Sequence, residues 1–210
     1  MKLVLGNKTY SSWSIRGWLI ARSTGLAFDE VVIPLYQPDS KAEILKYAPN
    51  GLVPCLIDGA VTVWDTLAIL EYLNEKAPEA GLYPPDPAER ARDRSICAEI
   101  HSGFANLRDT CTVNLRRKPV AIALTPEIAA EIERLKEIVA ILHNPTSRKD
   151  AMPAVEAFLT PIATRFRSYG LPMDGGLEAY FSALLGHPLF REWETAAAQE
   201  PWTIAQYDNQ

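Results

Sequence analysis

The sequence predicts an α/β domain over residues 1–78, a linker over 79–87, and an all-helical domain over 88–210. Three observations predict this. Strand-type runs are confined to the first third of the chain and alternate there with helical ones. Pro84, Pro85 and Pro87 then hold a short stretch extended. After residue 90 the apolar spacing is helical, with no strong strand signal. At 210 residues the chain is long enough to bury a sizeable core.

The elements follow in order. Lys2 to Gly6 reads as a first strand, and Asn7 to Ser14 as a polar loop in which any serine can cap the next helix. Ile15, Trp18, Leu19 and Arg22 have helical spacing, and Gly25 suits the stop. Phe28 to Leu35 is a second strand, and Lys41 to Tyr47 a short helix ending before Pro49. Leu52–Ile57 and Val61–Val63 form a hairpin around Asp58-Gly59. A helix opening at Asp65 closes the unit near Pro78. One small sheet carrying helices in this order is the arrangement of a thioredoxin-like fold. Beyond the linker, helical runs cover Ala88 to about Arg116, Pro126–His143, Met152–Tyr169, Leu177–Leu185 and Pro188–Gln199.

Composition narrows the function. A net charge of −5 argues against nucleic acid as the main partner, since phosphate binding needs a basic face. No apolar run is long enough to span a bilayer, and the opening Met1–Leu5 run is too short for a signal peptide. Cys55, Cys97 and Cys111 form no CxxC pair, so reduced thiols in a cytoplasm are the simplest reading. Three dispersed histidines give no metal-ligand spacing.

Val53-Pro54 stands inside an apolar, strand-like run, where a proline withholds an N–H from the ladder. A cis bond resolves the conflict at modest cost. It would turn the Val53 backbone outward, ready to pair with an extended peptide. Asp65-Thr66 follows at a helix start, whose free N–H groups favour a carboxylate. Together these features suit a small acidic peptide.

The run Asn50-Gly51-Leu52-Val53-Pro54-Cys55-Leu56, followed by Trp64-Asp65-Thr66-Leu67, resembles the glutathione-binding half of the cytosolic glutathione transferases. The resemblance extends over nearly the whole chain in element order and length. It implies a transferase that adds the glutathione thiolate to a small electrophile, or an isomerase of an unsaturated organic acid. It implies Val53 as the backbone clamp on glutathione, Pro54 as the cis-proline, and Asp65 with Thr66 as the γ-glutamyl site. It also implies glutathione as co-substrate, no metal, and a homodimer.

The loop Ser11-Ser12-Trp13-Ser14-Ile15-Arg16 is similar to the serine motif of the zeta class, with Trp13 where that pattern has cysteine. Aligned so, Ser11 takes the catalytic place, with Ser12 next and Tyr10 third. A hydroxyl cannot deprotonate a thiol at neutral pH, but it can hydrogen-bond the thiolate. Such a bond is worth roughly 1.5–3 kcal/mol, or about one to two pKa units. On its own, a serine here is more often a plain helix cap. Trp13, His101, Phe104 and Arg108 are candidates for the electrophile site. The last three lie at i, i+3 and i+7 on the expected long helix, and Arg108 suits a carboxylate. A helix-packing face with Arg108 paired to an acid explains the same spacing.

One segment departs from the family pattern. The expected Ser/Thr-x-x-Asp capping box is Pro153-Ala154-Val155-Glu156, and the Gly-rich loop before it is replaced by residues 143–150. Proline cannot supply the side-chain cap, although Glu156 can still accept a backbone N–H. A glutathione-binding protein of this fold without turnover is therefore the alternative reading.

Overall fold

The computed structural model describes residues 1–146 and 148–208. The first unit runs β1 (Lys2–Leu5), α1 (Ser12–Ser23), β2 (Asp29–Val32), α2 (Ser40–Leu45), β3 (Cys55–Asp58), β4 (Val61–Trp64) and α3 (Thr66–Lys76). The strand order is β2-β1-β3-β4. β1 pairs with β2 in parallel, and β3 pairs antiparallel with both β1 and β4.

Alternation along β1 explains why helices cover both faces of this sheet. Leu3, Leu5 and Leu56 point to the side of α1 and α3, where they pack with Ile15, Leu19 and Ile69. Val4 and Cys55, opposite each other in the register, point the other way and meet Ile33, Ile44 and Ala48. Burial accounts for Cys55, whose thiol is pushed up to about 11 by desolvation and is inert at neutral pH.

After a 3-10 turn at Pro78–Ala80 the chain is helical. It forms α4 (Pro87–Ser102), α5 (Ala105–Thr110), α6 (Pro126–Ala140), α7 (Ala154–Tyr169), α8 (Gly175–Gly186), α9 (Pro188–Ala198) and a short α10 (Ala205–Asp208). α7 is buried on nearly every side, as a central helix must be. One hydrophobic core joins it to α1 and β1, so the two units share an interior. Trp18 of α1 meets Trp193 of α9 there, with ring centroids 5.4 Å apart. Among the described residues no helix is long and apolar enough to cross a membrane.

Two expectations change. The run from Ala88 to Arg116 is not one helix. It breaks at Gly103, where a side chain would lie 2.8 Å from the Glu99 carbonyl oxygen, and Phe104 follows in the left-handed region at φ 58°. Arg108 then reaches back from α5 to donate to the Ile100 carbonyl near the end of α4. His101, Phe104 and Arg108 therefore share no helix face. The second change is at α7. Pro153 takes the N-cap without a side-chain bond, and Glu156 instead accepts the Thr146 N–H at 2.8 Å, closing the 143–150 loop onto the helix. Ser147 of that loop, and Asn209 and Gln210 of the expected helical domain, lie outside the described residues.

Candidate active site

The loop between β1 and α1 is held from the far end of the chain. The Glu200 carboxylate accepts the N–H groups of Lys8 and Thr9 at 2.6 and 2.9 Å. The Trp193 indole donates to the Lys8 carbonyl at 3.0 Å. These contacts fix the loop that delivers Ser11 to the mouth of α1.

Ser11 caps α1. Its Oγ accepts the Ser14 N–H at 3.1 Å and lies 2.9 Å from Ser14 Oγ, which in turn accepts the Gly6 N–H. The cap uses a lone pair and leaves the Ser11 proton free to choose its acceptor. Ser12 opens the helix, and among the described residues its hydroxyl has no protein partner. Both serines border a cavity of 370 Å³, with Trp13, Tyr36, Arg108 and Arg165 among its other walls.

The charge around this cavity is unusual. Arg16 is 1% and Arg165 5% exposed, and Arg108 is partly buried. Among the described residues no carboxylate pairs with any of the three. Arg165 donates to the Pro161 carbonyl and Arg108 to that of Ile100, while the Nε atoms of all three lack a partner. Desolvation lowers each guanidinium, Arg165 to about 10 and Arg16 well below its ordinary value; Arg108 pushes both of these further down, while Glu131 and Asp109 partly offset the fall at Arg108 itself. Trp13 partly compensates, since Arg16 lies 4.2 Å and Arg108 5.4 Å from its ring centroid.

The residues expected to hold the peptide are Val53, Pro54, Asp65 and Thr66. The Val53-Pro54 bond is cis. Among the described residues the Val53 backbone N–H and C=O are taken by no other protein group. Gly17 of α1 lies close against the Pro54 ring, because a Cβ there would approach Pro54 Cγ to 2.8 Å. Asp65 sits at φ 80°, ψ 140°, a conformation that costs a non-glycine residue about 1–3 kcal/mol. Its Oδ1 caps α3 through the Leu67 N–H at 2.8 Å, and its Oδ2 lies 3.3 Å from His101 Nε2. The other imidazole nitrogen is 3.4 Å from the hydroxyl of the fully buried Thr66. Burial holds His101 below its ordinary value, with Arg16 and Arg108 pushing the same way against the pull of Asp65.

The structure thus gathers Ser11, Ser12, Trp13 and Arg108 at the cavity, joins Asp65 and Thr66 through His101, whose ring lies 5.0 Å from that of Trp13, and packs Pro54 against Gly17 of α1. Phe104 is not with them. It is 6% exposed and packs into the shared core, because the break at Gly103 turns it inward. Among the described residues no three His, Cys, Asp or Glu side chains cluster in a way that could hold a metal.

A model of the glutathione S-transferase N-terminal domain family matches residues 10–76, the segment holding these serines, the cis-proline and Asp65. Glutathione S-transferase Z2 of Arabidopsis thaliana is 26% identical over 182 residues, covering 80% of both chains. The chain is similar to the glutathione S-transferase superfamily, over residues 10–76 by the family model and over 182 residues by this relative. Its likeness is to the zeta class. A zeta-class glutathione S-transferase of Euphorbia esula is 32% identical over 114 residues, 54% of this chain and 51% of that one. The chain spans about half the length of most of the curated relatives it matches. The solved structure of a bacterial zeta-class maleyl pyruvate isomerase superposes with a TM-score of 0.71 at 20% identity, covering 97% of this chain and 100% of that one. A sphingomonad glutathione S-transferase solved with glutathione bound gives 0.71 at 21%, over 95% and 100%. Both show that the fold is the transferase fold, an α/β domain followed by a helical one.

Four contributors to this site were missing from the sequence reading: Arg16, Arg165, Glu200 and Tyr207. Arg16 sits next to a motif that was read for its hydroxyls. Arg165 and Tyr207 come from helices far along the chain, and Glu200 from the segment after α9. Tyr207 is hydrogen-bonded to Tyr36 at 2.6 Å, and the neighbouring Asp208 accepts the Tyr10 hydroxyl at 2.9 Å.

Proposed function

We propose that this protein binds glutathione between Val53 and Asp65 and uses the thiolate on a small unsaturated electrophile bearing an acidic group. The reaction is addition, or addition and release that isomerises a double bond. The observation that carries this reading is the placement around one cavity of two serine hydroxyls with the buried Arg165 and the partly buried Arg108, neither of which has an ion pair among the described residues. A buried cation without a partner costs several kcal/mol, and an acidic ligand removes that cost.

The proposed roles combine the family resemblance with this geometry. The Val53 N–H and C=O pair with the cysteinyl backbone of glutathione. The N–H groups at the start of α3, with Thr66, meet the γ-glutamyl carboxylate, and Asp65 meets its ammonium. The sulfur then lies over the mouth of α1. Ser11 turns its proton from Ser14 Oγ to the thiolate, because a charged acceptor wins over a neutral one. Ser12 gives a second hydrogen bond, and the α1 dipole favours the anion further. Arg108 and Arg165 orient the acidic group of the electrophile beside the sulfur.

The test is to titrate the thiol of bound glutathione and to follow turnover of an unsaturated keto acid against a neutral aryl halide. The thiol pKa should fall by about one to two units on binding, with Ser11→Ala reversing most of the fall and Ser12→Ala less. An unchanged pKa in both variants would remove serine from the mechanism. The hydrogen bond between Ser11 and Ser14 supports a second reading, in which the hydroxyl stays engaged and glutathione binds without turnover. Thiol ionisation without product from either electrophile class would favour it.

A homodimer in a reducing cytoplasm completes the proposal. Val61 and Trp64 on the edge strand β4 are 45% and 44% exposed, which suits a second copy, and all three cysteines are free and buried.

A further inference from the structure

We propose that a second cavity, between the linker and the helical domain, binds a small organic ammonium ion. It has a volume of 340 Å³ and shares no lining residue with the cavity at Ser11. The linker gives it Pro84 and Pro85, the end of α6 gives Leu142, and α7 gives Val155. These make an apolar channel. Two carboxylates border it, Asp93 from α4 and Glu156 from α7, with the Tyr180 ring of α8 beside them.

Neither carboxylate is adequately satisfied. Glu156 is 5% exposed, and among the described residues its Oε2 has no hydrogen-bonding partner, while Oε1 is used by the Thr146 N–H. Asp93 is 6% exposed, and its ion pair with Arg92 is long, at 3.4 Å. The nearby His143 is held by Glu89 at 2.7 Å rather than by either acid. A half-satisfied carboxylate in a partly apolar cavity is costly unless a cation reaches it. Desolvation pushes the Glu156 carboxyl up to about 7, and both acids, after burial itself, raise the Tyr180 phenol.

The cavity selects the kind of cation. Two carboxylates and a phenol fall short of the six to eight oxygens that calcium takes. Among the described residues no third ligating side chain completes a metal set. A primary ammonium needs fewer partners. Its N–H donors can bridge Asp93 and Glu156, the Tyr180 face can meet its charge, and a short carbon chain can lie along Pro84, Leu142 and Val155. The volume is at the lower end for a small-molecule site.

Calorimetric titration of the whole protein at pH 8 with n-hexylamine, n-hexanol and hexanoate tests this. The amine should bind at least about tenfold more tightly than the alcohol, and hexanoate should not bind. Glu156→Gln keeps the acceptor for the Thr146 N–H and should weaken the amine at least about tenfold, as should Asp93→Asn, with glutathione affinity unchanged in both. Equal binding of amine and alcohol, undiminished binding to both variants, or no amine binding would each overturn the proposal. The amine-to-alcohol ratio on the unmodified protein decides the matter even if a variant fails to fold.

Discussion

The guanidinium of Arg16 lies 4.2 Å over the indole of Trp13, with Nε and Nη1 unbonded. The ring face is thus one of the few favourable partners this buried cation has, together with Phe158 at 5.2 Å. A desolvated cation–π contact is worth about 2 kcal/mol or more. Trp13→Leu should therefore lower stability by at least about 2 kcal/mol in chemical denaturation, and Trp13→Phe by clearly less. An equal loss from both would mean that Trp13 acts through bulk alone.

Arg165 gives a prediction with two opposite signs. Replacing a buried, unpaired charge by an apolar side chain of similar length relieves desolvation. Arg165→Met should raise stability by about 1–3 kcal/mol while reducing kcat/KM for an acidic electrophile at least about tenfold. Turnover of a neutral aryl halide should be nearly unchanged. Comparing the two electrophiles separates loss of an anion site from general damage.

The close approach of Gly17 to Pro54 can be tested by adding one methyl group. The proline ring cannot rotate away, so Gly17→Ala should displace the Val53-Pro54 edge. The expected result is weaker glutathione binding by about tenfold or more, read by calorimetry, with secondary structure unchanged by circular dichroism.

Glu156 sets a pH dependence of stability. Its folded-state carboxyl is raised to about 7 from an ordinary 4.5, chiefly by desolvation. Between these values the native state holds a proton that the unfolded chain has lost, so stability falls as pH rises. The contribution is fully present below about pH 4.5 and gone above about pH 7, roughly 3 kcal/mol at 1.36 kcal/mol per unit. Denaturant midpoints measured from pH 5 to 8 should decline in the native protein. In Glu156→Gln they should decline less. A slope unaffected by the substitution would assign the titration elsewhere.

Much of the α/β unit could be read from the sequence because its signals are local. A proline within an apolar run demands a special bond, and Asp58-Gly59 demands a turn. The break at Gly103 escaped notice because Ile96, Ile100, Phe104 and Leu107 keep helical spacing across it. A periodicity cannot register that one residue between them leaves the helix. The arginine cluster was illegible for a different reason. Arg16, Arg108 and Arg165 come from three helices, and only packing reveals that they lack carboxylates. Glu156 was readable as an acceptor in the first turn of α7, but not the identity of its donor, which lies ten residues upstream.

The Glu200 grip on the Lys8 and Thr9 amides bears on the timing of biogenesis. A ribosome makes the serine loop 191 or more residues before the carboxylate that steadies it. A nascent chain can complete its sheet well before that. On the proposed role of Ser11, thiol chemistry there must wait for Glu200, and fragments stalled before residue 200 should harbour a folded first domain with no working catalyst.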